Sequence, residues 1–439
     1  MIRDLPRTPW QPILTGDLAE RAQQAIDEIA ADLRRIASDS SRSTATSWSR
    51  RGPSLAGGDA GLACFFAYLD PARPEAQPGE SFGDFALELL ERAIEGTGAV
   101  QSPPSLYGGF SGVAWTLEHL RGRVFEDEEG GEDPGEEVAA AILEYLGHTP
   151  WVMDYDLISG LVGFGVYALE RGARRGGPEC LAKVMARLSE IAVREPEGIT
   201  WHTPAHLVGP VNVERYPEGN FNVGVAHGVP GVIGFLGEAC AAGVEEARPL
   251  LSGAVSWLLR QKLPEGAGSV FPYSVAPGVE PGPSRLAWCY GDLGITLSLL
   301  LAARAVGQED WEREALALGR ACAARTLEAS GTVDAGVCHG MAGNAHLFNR
   351  LAQATGDPLF AEAARTWFLR TLDQRRPGEG LGGYLMYVAD EEGALDWREE
   401  PGFLTGVAGL GLSLLGATTP VEPEWDRLLL VSVPPRAGG

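Results

Sequence analysis

The sequence predicts an all-α fold: a closed α/α toroid, a double ring of seven inner and seven outer helices with irregular, β-rich inserts at one end. Three observations predict it. First, a Gly-x-x-Gly pair followed by an apolar run recurs seven times, at Gly58/Gly61, Gly109/Gly112, Gly160/Gly163, Gly228/Gly231, Gly291/Gly294, Gly340/Gly343 and Gly406/Gly409. A period of this length is the signature of a repeat architecture. Second, the runs are apolar nearly all round, as helices buried on both sides must be, and the stretches between them are amphipathic. Third, the glycine pairs fall at the N-terminal ends of the inner helices, at one level, where glycine permits tight turns and close backbone approach. An open solenoid would not need them all there.

Taken in order, Met1–Arg51 reads as a leading helix, Leu18–Ile36, and a Ser/Arg-rich link. The toroid domain spans 52–416. Its inner helices are expected at Leu62–Leu69, Val113–Leu120, Val162–Leu169, Val232–Cys240, Ile295–Ala303, Ala345–Leu351 and Leu410–Leu415. Outer helices are expected at Ser81–Ile94, Gly135–Leu146, Cys180–Val193, Glu245–Gln261, Asp310–Leu327 and Pro358–Gln374, where apolar residues recur at three and four. Phe125–Glu137 is an acidic, glycine-rich loop. The insert at about 195–222, rich in proline and β-branched residues, reads as strands and loops, and that at about 263–284 as a Pro/Gly-rich loop leading into Arg285. Residues 417–439 read as a Pro-rich, disordered C-terminal tail.

Composition narrows the function. A hydrophobic fraction of 45% over 439 residues belongs to a globular chain with a large core. The formal charge of -24 argues against nucleic acid and fits a basic or neutral partner. No run approaches the ~18 apolar residues of a membrane-spanning helix, and no secretory signal is evident. Six cysteines scattered without such a signal imply a reducing, cytoplasmic setting.

Chemistry concentrates at the glycine pairs. Cys289, in Trp288-Cys289-Tyr290-Gly291, and Cys338-His339, in Cys338-His339-Gly340, stand at the starts of consecutive inner helices. Two thiols and an imidazole from neighbouring turns suit zinc and leave its fourth position open. An open site on a thiolate-rich zinc suits another thiol, which loses its proton there and becomes a nucleophile. The bland alternative is two small buried cysteines and a turn-capping histidine, and the matching slots of the two repeats weigh against it. His227 occupies the equivalent slot one repeat earlier, as a fourth ligand or a general acid/base. Asp156 precedes the third glycine pair and could orient His227, though Asp is also an ordinary helix cap. Arg285 and Tyr290 flank Cys289 and could stabilise an oxyanion. Cys64, Cys180, Cys240 and Cys322 read as core. His202 and His206 lie in the first insert without an assigned role.

Together these motifs resemble the lanthionine synthetase C-like family, most closely its bacterial lanthipeptide cyclases. The resemblance runs from about Leu55 to Leu415 and is carried by Trp288-Cys289-Tyr290-Gly291 and Cys338-His339-Gly340, with Ala226-His227-Gly228 and Tyr155-Asp156 in support. It implies an α/α toroid with one Zn2+ per chain, held by Cys289, Cys338 and His339. It implies His227 and Asp156 in proton transfer, Arg285 at the enolate oxygen and Tyr290 lining the site. The implied reaction adds a cysteine thiol of a dehydrated precursor peptide to its dehydroalanine or dehydrobutyrine, forming a thioether ring. The sequence departs from the family at Gly291-Asp292-Leu293-Gly294, where a proline often precedes the second glycine, and in the acidic loop and first fifty residues.

Because the toroid takes nearly the whole chain, a stand-alone cyclase is expected. It would work with a separate dehydratase and an exporter, in an assembly at the membrane surface. Two other readings stand beside this one. A relative that binds glutathione or another small thiol and adds it to electrophiles would ignore a dehydrated peptide. A zinc-free scaffold or carbohydrate-active toroid would lean on Asp59, Asp156 and Asp292, and would leave the Cys-Cys-His set unexplained.

Overall fold

The computed structural model describes residues 9–38, 52–73, 81–99, 102–127, 131, 133–209, 212–389 and 393–434. The Ser/Arg-rich link, part of the acidic loop and the last five residues lie outside these. Contacts divide the described residues into two compact units, one within 139–332 and 426–434, the other within 9–138 and 333–425.

In chain order the helices are α1 (Gly16–Ser38), α2 (Asp59–Leu69), α3 (Phe82–Ala99), α4 (Phe110–Leu120), α5 (Pro134–Tyr145), α6 (Leu161–Arg171), α7 (Gly177–Glu190) and α8 (Val229–Ala241). They continue with α9 (Ala247–Leu259), α10 (Asp292–Val306), α11 (Glu309–Ala323), the short α12 (Leu327–Ser330), α13 (Met341–Thr355), α14 (Pro358–Gln374) and α15 (Val407–Thr418). Each of the seven expected inner runs lies in one of α2, α4, α6, α8, α10, α13 and α15. The first glycine of each pair is the residue before the helix, and the second lies in its first turn.

The loops before these helices explain the glycines. The first helical amide donates to a carbonyl seven positions back: Asp59 to Gly52, Phe110 to Pro103, Leu161 to Asp154, Met341 to Asp334 and Val407 to Glu400. A backbone carbonyl thus satisfies an N-terminal donor that elsewhere needs a side-chain cap. The loop must close tightly to do so. A Cβ at Gly109 would lie 1.8 Å from the Pro103 carbonyl oxygen, so only glycine fits.

In the 139–332 unit, α6 packs on α7, α8 on α9 and α10 on α11, while α8 also lies against both α6 and α10. The outer members are two-faced: α7 buries Cys180, Val184, Met185 and Leu188 and exposes the residues between. Cys64, Cys180 and Cys322 are buried as expected, whereas Cys240 is only half-buried.

In the other unit α13 packs on α14, α2 on α3, and the inner helices α13, α15, α2 and α4 follow one another as neighbours. The last inner helix therefore returns to the first, as a closed ring demands. The leading helix has a place in this scheme: α1 packs on α15 as its outer partner, burying Ala22, Ala25, Ile26, Ile29, Leu33 and Ile36. Trp10 and the amides of Ile13 and Leu14 donate to the Gly416 and Ala417 carbonyls at the end of α15.

Three two-stranded antiparallel sheets complete the description: β1 (Val193–Glu195) with β2 (Gly198–Thr200), β3 (Phe221–Asn222) with β4 (Ser274–Val275), and β5 (Met386–Ala389) with β6 (Leu395–Arg398). The middle one joins the two expected inserts, pairing Asn222 with Ser274. The third was not expected. The expected disordered tail is a correction: within 418–434, Glu424–Leu429 form a 3-10 helix, and Trp425, Leu428, Leu429 and Val431 are fully buried. These apolar side chains outweigh the prolines around them, and the Trp288 indole N–H is held by the Leu429 carbonyl at 2.8 Å.

Candidate active site

The loops that precede the inner helices are laced together by backbone hydrogen bonds. In the 139–332 unit, Leu157 donates to the Ala226 carbonyl at 3.2 Å, and Ala226 to the Cys289 carbonyl at 3.2 Å. In the other unit Cys338 donates to Leu404, Leu404 to Ala56, and Ala56 to Tyr107. Residues in equivalent slots of successive repeats are thereby held side by side. This lacing brings Asp156, His227, Cys289 and Tyr290 together, as their positions in the repeat suggested.

His227 is anchored through Nδ1 to Asp156 Oδ2 at 2.5 Å. The other Asp156 oxygen accepts the Ser159 amide at 2.7 Å, so this buried carboxylate is fixed at both ends. The His227 side chain keeps 41% of its surface open to solvent. Burial of the ring works to lower its pKa, but the Asp156 charge and hydrogen bond, with Cys289 and Asp154, outweigh it and hold the pKa above the ordinary histidine value. Asp154 shares the neighbourhood. Burial and the Asp156 charge push its pKa up to about 6, against the opposing pull of His227.

Tyr290 lies nearly parallel to the His227 ring, with centroids 6.0 Å apart, and its hydroxyl accepts from Asn222 Nδ2 at 2.9 Å. Arg285 Nε donates to the Tyr273 hydroxyl at 3.3 Å, and the Tyr273 and Tyr290 rings are 5.7 Å apart. Arg285 therefore reaches the group through a tyrosine. Gly224 is confined between these parts: a Cβ there would lie 2.5 Å from the Cys289 carbonyl oxygen and 2.7 Å from the Tyr290 ring.

In the other unit Cys338 is buried and His339 half-buried, immediately ahead of α13. Asp334 holds their loop, one oxygen accepting the Gly336 amide and the other the Tyr387 amide of β5. Burial and the nearby Cys338 raise the Tyr107 pKa well above its usual value. Among the described residues one set of candidate metal ligands stands out, Cys289, Cys338 and His339, and neither cysteine is in a disulfide. Sequence reasoning passed over Asp154, Asn222, Tyr273 and Asp334. Asp154, Asn222 and Asp334 each sit six residues before a first glycine, a position whose regular loop geometry was the available signal.

A helix-pair fold whose inner-helix starts carry Cys, His and Asp in this register defines its class. The chain belongs to the lanthionine synthetase C-like family, whose model matches residues 49–430. Among solved structures it is similar to nisin cyclase, with a TM-score of 0.72 over 93% of this chain and 97% of that chain at 19% identity. That likeness bears out the expected all-α toroidal fold. A sugar epimerase from a ruminal bacterium aligns with a TM-score of only 0.43 at 10% identity over 91% of this chain and 98% of that one. Among curated proteins, Glutathione S-transferase LANCL1 of Danio rerio is 29% identical over 181 residues, 38% of this chain and 42% of that relative. The match thus spans about two fifths of the relative's length.

Proposed function

We propose that this protein is a zinc-dependent lanthipeptide cyclase, closing thioether rings in a dehydrated ribosomal peptide. The observation that carries the reading is the His227–Asp156 pair, fixed at 2.5 Å in the loop that is hydrogen-bonded to Cys289. An imidazole held in one orientation by a buried carboxylate, beside a candidate metal cysteine, is equipped to move a proton during a thiol addition.

Cys289, Cys338 and His339 are the proposed ligands of one Zn2+. The donor set fits zinc: two thiols free of disulfides and an imidazole, each just ahead of an inner-helix N-terminus that favours thiolate. When bound, zinc lowers the pKa of an incoming thiol. The steps assigned to this chain are proton transfers. His227 takes the proton from the substrate cysteine, and Asp156 stabilises the imidazolium. The thiolate sulfur bonds to the β-carbon of dehydroalanine or dehydrobutyrine, the C=C π pair shifts between the α-carbon and the carbonyl carbon, and the C=O π pair moves onto oxygen, giving an enolate. Arg285 and Tyr290 would steady that charge. The imidazolium then returns its proton to the α-carbon, so no atom is gained or lost.

The dehydrated peptide comes from a separate dehydratase acting beforehand, and an exporter would take the product. No helix among the described residues is long and apolar enough to cross a membrane. We place the reaction in the reducing cytoplasm, where the free cysteines keep their thiols.

Cyclisation leaves peptide mass unchanged and consumes one thiol per ring, so alkylation by N-ethylmaleimide followed by mass spectrometry reads it directly. Progressive loss of alkylation with wild type, and none with Cys338→Ala, is the expected result. Persistent full alkylation with zinc-loaded wild type would overturn the reading. A second reading, addition of glutathione to electrophiles, is favoured by the partial likeness to the Danio rerio protein. It predicts a glutathione adduct in the same assay where the cyclase reading predicts an internal ring.

A further inference from the structure

Beside the catalytic pair lies a cavity of about 330 Å3, within the 139–332 unit. His227, Asp156 and Tyr290 line it, and so do Asp154, Thr203 and Asn220, none of which has a role in the reaction above.

Asp154 and Asn220 bring acceptors to it. Asn220 is only 5% exposed, and its side-chain oxygen has no hydrogen-bond partner. Its backbone is fully engaged with Thr203, each amide donating to the other's carbonyl at 2.8 and 2.9 Å, so the side chain is held at the cavity wall. A buried acceptor without a donor is destabilising, and a ligand bearing N–H groups would relieve it. Asp154 adds a carboxylate, and the charged groups bearing on it are Asp156, His227 and His206 rather than any lysine or arginine. Asp156 is already engaged by His227 and the Ser159 amide, whereas Asp154 lines the cavity with its carboxylate outside that pair.

An anion would be repelled by the two carboxylates. An apolar group would leave the Asn220 oxygen and the Asp154 carboxylate unpaired. A group with several N–H donors and a positive charge satisfies both. We propose that this cavity is a specificity subsite for a lysine or arginine side chain of the peptide, adjacent to the cysteine that reacts. The adjacency follows from the wall shared with His227. The proposal rests on the cyclase reading for the identity of its substrate. The chain's formal charge of -24 favours the approach of such a basic peptide.

The test uses three fluorescein-labelled peptides, identical except for the residue beside a single cysteine: lysine, norleucine or glutamate. Fluorescence anisotropy with the zinc-loaded full chain measures affinity. The lysine peptide is expected to bind about tenfold more tightly than norleucine, with glutamate weakest. Asp154→Asn should bring lysine and norleucine together, and Asn220→Leu should weaken the lysine peptide selectively. Equal affinities for the wild type, no measurable binding of any peptide, or a lysine preference that survives Asp154→Asn would overturn the subsite. Ring closure is scored separately by loss of alkylation. A chain that closes rings without preferring lysine refutes only the subsite, and one that prefers lysine without closing rings refutes only the cyclase.

Discussion

Asp156 holds His227 by Nδ1 at 2.5 Å while its second oxygen is tied to the Ser159 amide at the start of α6. The carboxylate thus belongs equally to a loop and to an imidazole ring. It engages Nδ1, and in the proposed reaction Nε2 is the nitrogen that exchanges the proton.

From this follows the expected behaviour of Asp156→Asn. The amide can keep one contact to Ser159 but offers no charge to the imidazolium. Turnover should fall roughly 100-fold or more, with KM little changed and zinc content intact. Rates of thiol loss over a range of peptide concentrations separate the two parameters. An unchanged turnover number would remove His227–Asp156 from the reaction.

The same pair sets a pH dependence. A base must be neutral to accept a proton, and the net effect of its surroundings raises the His227 pKa above 6.5. The acid limb of the kcat/KM profile should therefore lie at higher pH than an ordinary histidine gives. Asp156→Asn removes the largest factor that raises the pKa, so the limb should move to lower pH even as the rate drops. The linked stability runs the other way. A histidine with a raised folded pKa contributes stability below pH 6.5, and this is lost as pH rises through the folded value. Melting temperatures of wild type and His227→Gln, compared from pH 5.5 upward, should converge.

Gly224 offers a test that touches neither ligand nor base. Its missing side chain makes room for the Cys289 carbonyl and the Tyr290 ring. Gly224→Ala must displace the loop carrying Cys289, because the nearest obstacle is backbone. We expect a loss of about 1–3 kcal/mol in stability and weaker zinc retention, read by competition with a chelator. Wild-type zinc affinity in a folded Gly224→Ala chain would mean that the Cys289 loop is not fixed by this packing.

Much of this was legible because glycine pairs and apolar runs repeat, and the repeat itself aligns Cys289 with Cys338 and His227 with His339. Asp154 shares the slot of Asn222 and Asp334 in the repeat, but a polar side chain there reads as ordinary loop chemistry. What else escaped lacks that period. Asn220 is a single polar residue in an irregular loop, and its importance comes from what surrounds it. The β5–β6 strands join no larger sheet, so no neighbouring element signals them. Trp425, Leu428 and Val431 form core inside a Pro-rich stretch whose composition suggested a loose end. The role of α1 was hidden for a different reason. Its pattern was plain, but its partner α15 lies almost four hundred residues further along the chain.

That pairing supplies the last prediction. Ile26 is fully buried in α1, and the helix covers α15 where an outer helix would otherwise be missing. Ile26→Ala removes three buried carbons from a packed interface and should cost about 2–4 kcal/mol. Gln23→Ala, on the exposed face of the same helix, should cost almost nothing. Chemical denaturation of the two variants beside wild type compares them directly. Equal stabilities would mean that α1 is an appendage, and a chain starting at residue 52 should then fold unaided. A large loss for Ile26→Ala alone establishes that the N-terminal segment completes the outer layer, and that the repeat closes through it.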